Sequence, residues 1–162
     1  MSAGKPALFV SACLLGLRCR YDGASRPLPA ETLAALRDRW ALVPVCPEQL
    51  GGLATPRESA ERRDGGVFTA SGADVTAQYR RGAEQALHLA RLYGCRAAVL
   101  KEHSPSCGSG EIYDGTFSGR LMPGDGVTAA LLKENGIAVY GESEIEALLA
   151  QAEPEEPQQS LF

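Results

Sequence analysis

No stretch of this sequence approaches the roughly 20 consecutive apolar residues that a membrane-spanning helix needs. The opening "MSAGKPALFVSACLLG" is also too short, and too lightly charged at its start, to make a secretory signal. Cationic excess is missing as well. Sixteen lysines and arginines stand against twenty aspartates and glutamates, a formal net charge of -4. A chain that grips nucleic acid without regard to sequence needs a basic face to neutralise phosphates, so nucleic acid is not an expected partner. Histidine is scarce, at two residues, and neither has the spacing that completes a Cys2His2 zinc site. No C-x-x-C pair occurs, which disfavours a zinc ribbon or a thioredoxin-type dithiol. These absences leave a cytoplasmic protein acting on a small molecule as the expectation.

What is present fits one α/β domain. With 162 residues, 44% of them hydrophobic, the chain is long enough to bury a single sizeable core. "PALFVSA", "WALVPV", "RAAVL" and "IAVY" are short, nearly continuous apolar runs of the kind found in strands buried on both faces. Between and after them lie "PAETLAALRDR", residues 74–94, "GVTAALLKENG" and "SEIEALLA", which carry helical spacing. In the longest of these, Val75, Tyr79, Ala83, Ala86, Ala90 and Tyr93 share one face, Asp74 is placed to cap the start, and Gly94 stops the helix. Ser143 is placed to cap the last helix. Alternation of this kind predicts a Rossmann-like three-layer α/β domain with a mostly parallel sheet, spanning residues 1–150. "RRDGGVFTASGAD" interrupts it as a hairpin turning at Asp64, Gly65 and Gly66, and residues 151–162, rich in Glu, Gln and Pro, are expected to form a flexible tail.

The cysteines follow the strands. In an open parallel sheet the loops at the carboxyl ends of the strands share one edge and form the ligand crevice. Cys13 follows the first strand, Cys46 the second, and Cys107 lies in the loop after the third. One buried cysteine is usually just a small apolar side chain, but three at successive strand ends predict a common site. Thiolates are soft donors that select zinc, Cu(I) or iron-sulfur clusters. A [4Fe-4S] cluster ordinarily takes four cysteines, so three leave one iron open to a substrate. Cys95, at the opposite end of the third strand, reads as a core thiol, and Cys19, six residues past Cys13, could approach the same edge but ranks below the other three, since a core place or one beside the site is at least as well supported as ligation.

Glu48, two residues after Cys46, belongs on the same rim, either as a helix-start carboxylate or as a general acid/base. Ser104 and Ser106 flank Pro105 just before Cys107. Such serines usually bond the local backbone, and Ser104 is the better placed to meet a substrate. Lys101 and His103 are solvated strand-end residues or groups that orient a polar ligand. The glycines of "SPSCGSG" are expected to let backbone amides approach whatever Cys107 holds. A thiol hydrolase with Cys107 as nucleophile and His103 as base is a further, weaker possibility, because no orienting third group is evident.

Taken together, "VSACLLGLRCRYDG", "VPVCPEQLGGLATPRESAE", "LKEHSPSCGSGEIYDGTFSG" and "GDGVTAALLKENGIAVYGE" resemble a bacterial and archaeal family whose characterised members are TudS-type thiouracil desulfidases. The likeness runs from about Ala7 to Glu142. It implies a Rossmann-like domain that binds a [4Fe-4S] cluster through Cys13, Cys46 and Cys107, with Glu48 and Ser104 as catalytic residues, and that releases sulfide from a thiolated base or nucleotide. The rival from another class is a non-catalytic iron-sulfur or zinc protein in redox sensing or sulfur relay, which shares only the cysteines.

Overall fold

The computed structural model describes residues 4–152. Four parallel strands, β1 (Ala7–Ser11), β2 (Ala41–Val45), β5 (Ala97–Leu100) and β8 (Ala138–Gly141), form the central sheet in the order β2-β1-β5-β8. Between β2 and β5 the chain makes α2 (Pro47–Leu50), a hairpin of β3 (Ala60–Arg63) and β4 (Gly66–Thr69), and α3 (Thr76–Leu92). After β5 comes a second hairpin, β6 (Glu111–Tyr113) and β7 (Leu121–Pro123), then α4 (Val127–Glu134). The remaining helices are α1 (Ala30–Arg39), before β2, and α5 (Ile145–Ala152), after β8.

Alternation along the strands builds the layers, because successive side chains leave opposite faces of the sheet. Leu8 and Val10 of β1 and Val99 of β5 pack with Leu36, Ile145 and Leu148 of α1 and α5. Phe9, Ala98 and Leu100 point the other way and pack with Ala86, Ala90, Ala129 and Leu132 of α3 and α4. The three-layer expectation holds. At the edge, β2 exposes Ala41 and Pro44, and a proline is tolerated there because an edge strand leaves one row of amides unpaired.

Several details differ from the sequence reading. Val75, not Asp74, occupies the cap position of α3; Asp74 Oδ1 accepts the Thr76 N–H at 2.9 Å one step before the helix. Tyr93 is not on the buried face: it follows the last turn and is 56% exposed. Ser143 does not cap α5. It lies in a 3₁₀ turn, Glu142–Glu144, and its hydroxyl and N–H bond the Glu102 carboxylate, while Glu144 Oε1 accepts the Gly141 N–H at 2.8 Å. The β6–β7 hairpin was not foreseen, since its strands are three residues each and lack a continuous apolar run. The tail beyond Ala152 lies outside the described residues. Among those residues, no helix is long and apolar enough to cross a membrane.

Candidate active site

A cavity of about 530 Å³ opens at the carboxyl edge of the sheet, a volume typical of small-ligand sites. Cys13, Cys46 and Cys107 all line it, as do Glu48 and Ser104. Each arrives by its own device. Cys13 sits on a 3₁₀ turn, Ala12–Leu15, that continues directly from β1. Cys46 is the residue that opens α2, and Pro47 follows at a position where a missing amide hydrogen costs nothing. That short helix docks hard against α3 through two glycines. A Cβ on Gly82 would stand 2.0 Å from Pro47 O, and one on Gly51 would stand 2.0 Å from Gln78 O.

Cys107 closes a turn in which its own N–H bonds Ser104 Oγ at 2.7 Å and Gly108 N bonds Ser104 O at 2.9 Å. The start of α4 locks this turn. Val127 N and Thr128 N donate to Pro105 O and Ser106 O, both at 2.8 Å, satisfying helix-end donors with loop carbonyls. The two serines part company. Ser106 is 1% exposed, bonds Thr128 Oγ1 at 2.8 Å and faces away from the cavity, whereas Ser104 lines it. Because Ser104 Oγ accepts the Cys107 N–H, its own hydroxyl proton is left to donate. The expected role of the loop glycines is corrected. Gly108 N is bonded to Ser104 O and Gly110 N to Asp125 Oδ1 at 2.8 Å, so neither amide is available to a ligand. Gly108 serves packing instead: a Cβ there would meet Ile112 and Ser104 O, each at 2.8 Å.

The thiols feel one another. Burial pushes Cys13 up to about 11 and Cys107 up to about 12; both Cys13 and Cys46 make Cys107 harder to ionise. Three groups favour the thiolates of Cys13 and Cys107. The Ser11 hydroxyl accepts the Lys101 N–H at 2.9 Å and hydrogen-bonds Cys107, and the Lys101 ammonium, paired with Glu142 at 3.0 Å, favours ionised Cys13, as does Arg20. Cys19, ranked below the others from sequence, also lines the cavity. Burial and its neighbour Cys46 push it up to about 12, and the Cys46 thiol lies 3.7 Å from the Cys19 carbonyl oxygen. Cys95 packs in the core, as the sequence suggests, and His88 is exposed on α3.

Glu48 is fixed from two sides that sequence reasoning missed. Nε and Nη2 of Arg57 both stand 2.9 Å from its Oε1, in a pair whose side chains are only 9% and 14% exposed. The buried Tyr79 hydroxyl hydrogen-bonds the same carboxylate. Arg57 Nη2 also reaches Cys19 O at 3.0 Å, and its backbone N–H bonds Tyr21 O at 2.7 Å, so one side chain joins the Cys19 loop to the Glu48 helix. Nothing in the local sequence around Arg57 signals this. His103 turns to Glu111, at 3.8 Å, and edge-on to Tyr113. With Cys107 kept protonated by burial, a Cys107–His103 nucleophile pair is not supported.

Known proteins resemble this chain over most of its length. A family model described as 2-thiouracil desulfurase matches residues 8–144. The chain belongs to the 2-thiouracil desulfurase family. A relative from Bacillus subtilis (strain 168), named uncharacterized protein YbbK, is 46% identical over 152 residues, covering 88% of this chain and 99% of that protein. A solved structure described as the [4Fe-4S]-dependent thiouracil desulfidase TudS is 51% identical, with a TM-score of 0.85 over 91% of this chain and 97% of its own. In this member of the 2-thiouracil desulfurase family, no group of three or more His, Cys, Asp or Glu among the described residues is placed to hold a single metal ion. Four thiols line the shared cavity, Cys13, Cys19, Cys46 and Cys107, and thiolate sulfur is the donor that iron-sulfur clusters take. The donor set, sulfur only and steadied by the Ser11 hydroxyl, fits an iron-sulfur cluster.

Proposed function

We propose that this chain is a [4Fe-4S]-dependent desulfidase that hydrolyses a thiolated pyrimidine to the oxo-pyrimidine and sulfide, with Cys13, Cys46 and Cys107 holding the cluster. The observation that carries the reading is the convergence of these thiols with Glu48 and Ser104 on one cavity. Bound by three cysteines, such a cluster supplies an iron with no protein ligand, a Lewis-acid position for the sulfur that leaves the ring.

The chain's own groups supply the rest. Glu48, held as an acceptor by Arg57 and Tyr79, orients a water toward the ring carbon and takes one of its protons. Ser104 turns its hydroxyl proton toward the departing sulfur. Water adds oxygen to the carbon as the carbon-sulfur bond breaks, and the two protons of water leave with the sulfur as hydrogen sulfide, or one leaves as hydrosulfide and the other passes to solvent. No electron is consumed. The acidic net charge favours a free base or nucleotide over a polynucleotide.

Anaerobic reconstitution with iron and sulfide, followed by assay on thiouracils, tests this. Wild-type protein is expected to release sulfide and the oxo-pyrimidine. Glu48→Ala and Ser104→Ala are expected to lose about a hundredfold or more in kcat while keeping their iron. Replacing Cys13, Cys46 or Cys107 by serine lowers the iron content itself, whereas Cys19→Ser leaves it unchanged. A full cluster with no sulfide released from any thiolated pyrimidine rejects the desulfidase, and unimpaired turnover in both Glu48→Ala and Ser104→Ala rejects their assigned roles.

A further inference from the structure

Phe117 and Glu61 have no part in the chemistry above, yet both line the cavity. Among the described residues, three that are not glycine have positive φ: Asp64 at 51°, His103 at 73° and Phe117 at 56°. Asp64 sits in the β3–β4 turn, where aspartate tolerates that conformation well. The other two are rings on the cavity wall. An aromatic residue held in the left-handed region stores strain that the surrounding structure must enforce, and such positions gather at ligand sites.

The enforcing group is on the page. Glu61, on β3 and only 9% exposed, uses one carboxylate oxygen to accept two N–H groups of the β6–β7 loop, Gly115 at 2.9 Å and Phe117 at 3.0 Å. Gly115 is itself wedged against the β3 backbone, where a Cβ would lie 2.8 Å from Arg62 O. The loop is therefore pinned to β3 on both sides of Thr116, and the pinning sets the direction in which Phe117 leaves the chain. Its ring is 37% exposed and anchors no core. His103 and Tyr113, two further rings of the lining, meet edge-on with centroids 6.0 Å apart, whereas Phe117 lines the cavity from a loop whose backbone Glu61 holds. A partly exposed ring held in strain on the wall of a cavity is suited to the face of a flat heterocycle.

We infer that Phe117 stacks on the pyrimidine ring of the substrate and so determines specificity, and that Glu61 is its positioning residue. The inference rests on the proposed desulfidase reading for the identity of the ring. Stacking is made equally with substrate, transition state and product, so it acts on KM and on product affinity rather than on kcat.

The test uses cluster-loaded protein without air: the uracil dissociation constant by calorimetry, and kcat and KM on 2-thiouracil, with iron content measured for every variant. Phe117→Ala is expected to weaken uracil binding and raise KM by about tenfold, within the range for losing one base-aromatic stack. Its kcat stays near the parental value, and Phe117→Tyr restores both constants. Glu61→Gln raises KM in the same direction but adds nothing in the Glu61→Gln/Phe117→Ala double variant, because it acts through the ring. Unchanged uracil binding and KM in Phe117→Ala overturn the stacking role; a Glu61→Gln effect that persists in full in the double variant overturns the positioning role. If loaded parent binds uracil through Phe117 but releases no sulfide, the stacking residue stands and the desulfidase falls. If it neither binds uracil nor releases sulfide, both fall.

Discussion

Arg57→Gln is the substitution that probes the site most sharply without touching a thiol. The Arg57–Glu48 pair is close, 2.9 Å, and nearly sealed, with side chains 9% and 14% exposed. Removing one partner of a buried pair strands the other, at a cost of about 3 to 5 kcal/mol. The lower end applies here, because Glu48 keeps the Tyr79 hydroxyl and faces a cavity. A loss of about 3 kcal/mol in a domain of this size lowers Tm by about 6 to 12 °C. Arg57→Lys keeps the charge but not the fork that reaches both Glu48 and the Cys19 carbonyl, so it falls in between. The decisive variant is the double, Glu48→Gln/Arg57→Gln. With no carboxylate left to strand, it is expected to be more stable than Arg57→Gln alone. Thermal unfolding of the parent, Glu48→Gln, Arg57→Gln and the double variant, all cluster-free or all cluster-loaded, reads the coupling. Sulfide release, measured alongside, falls in Arg57→Gln through kcat. A Tm within about 2 °C of parent for Arg57→Gln, or a double variant destabilised by the sum of the singles, refutes the stranded-charge reasoning.

Two further outcomes follow from the same geometry. In cluster-free protein Cys13, Cys107 and Cys19 ionise only around 11 to 12, against the ordinary 9.0 expected once unfolded. The folded state therefore binds more protons than the unfolded one above pH 9, and stability present below that pH is lost as pH rises toward 11 to 12. Thiolate absorbance against pH, with and without urea, checks this, and native thiols that titrate near 9 contradict it. Gly82→Ala places a methyl where Pro47 O now lies, 2.0 Å away, with backbone on both sides. Since α2 must shift and carries Glu48 just after Cys46, about 1 to 3 kcal/mol of stability and most of the sulfide release are expected to go; unchanged Tm and turnover reject the close-contact role.

The layers were legible because each strand of the central sheet is an apolar run short enough to be told from a helix, and the two helices on one of its faces end on glycines. Gly94 at φ 70° and Gly136 at φ 83° stop α3 and α4 where the pattern said they would. What failed was placement at a single residue. Whether Asp74 or Val75 begins α3, or whether Ser143 caps α5 or bonds Glu102, turns on tertiary partners that the local sequence does not contain. The β6–β7 hairpin is held by Glu61 and by the Gly110–Asp125 bond, contacts from other elements, and so left no periodic trace.

The site divides along the same line. Strand ends have a fixed address in a parallel sheet, so the shared edge of Cys13, Cys46 and Cys107 follows from strand order alone. The groups that hold the site in shape have no such address. Arg57 comes from a loop and Tyr79 from the first turn of α3, and although Ser11 ends β1, nothing in its neighbours tells that its hydroxyl lies between Lys101 N and Cys107. Tyr79 shows the difficulty best. Its helical spacing marks it as core, and it is buried as core, yet its hydroxyl ends on Glu48. Periodicity reports which way a side chain points but not what waits at its tip, and a buried phenol must find an acceptor. A tyrosine at an otherwise alanine-rich helix face packed near a predicted site is thus a searchable signal: its hydroxyl requires a polar partner that the small residues beside it do not supply.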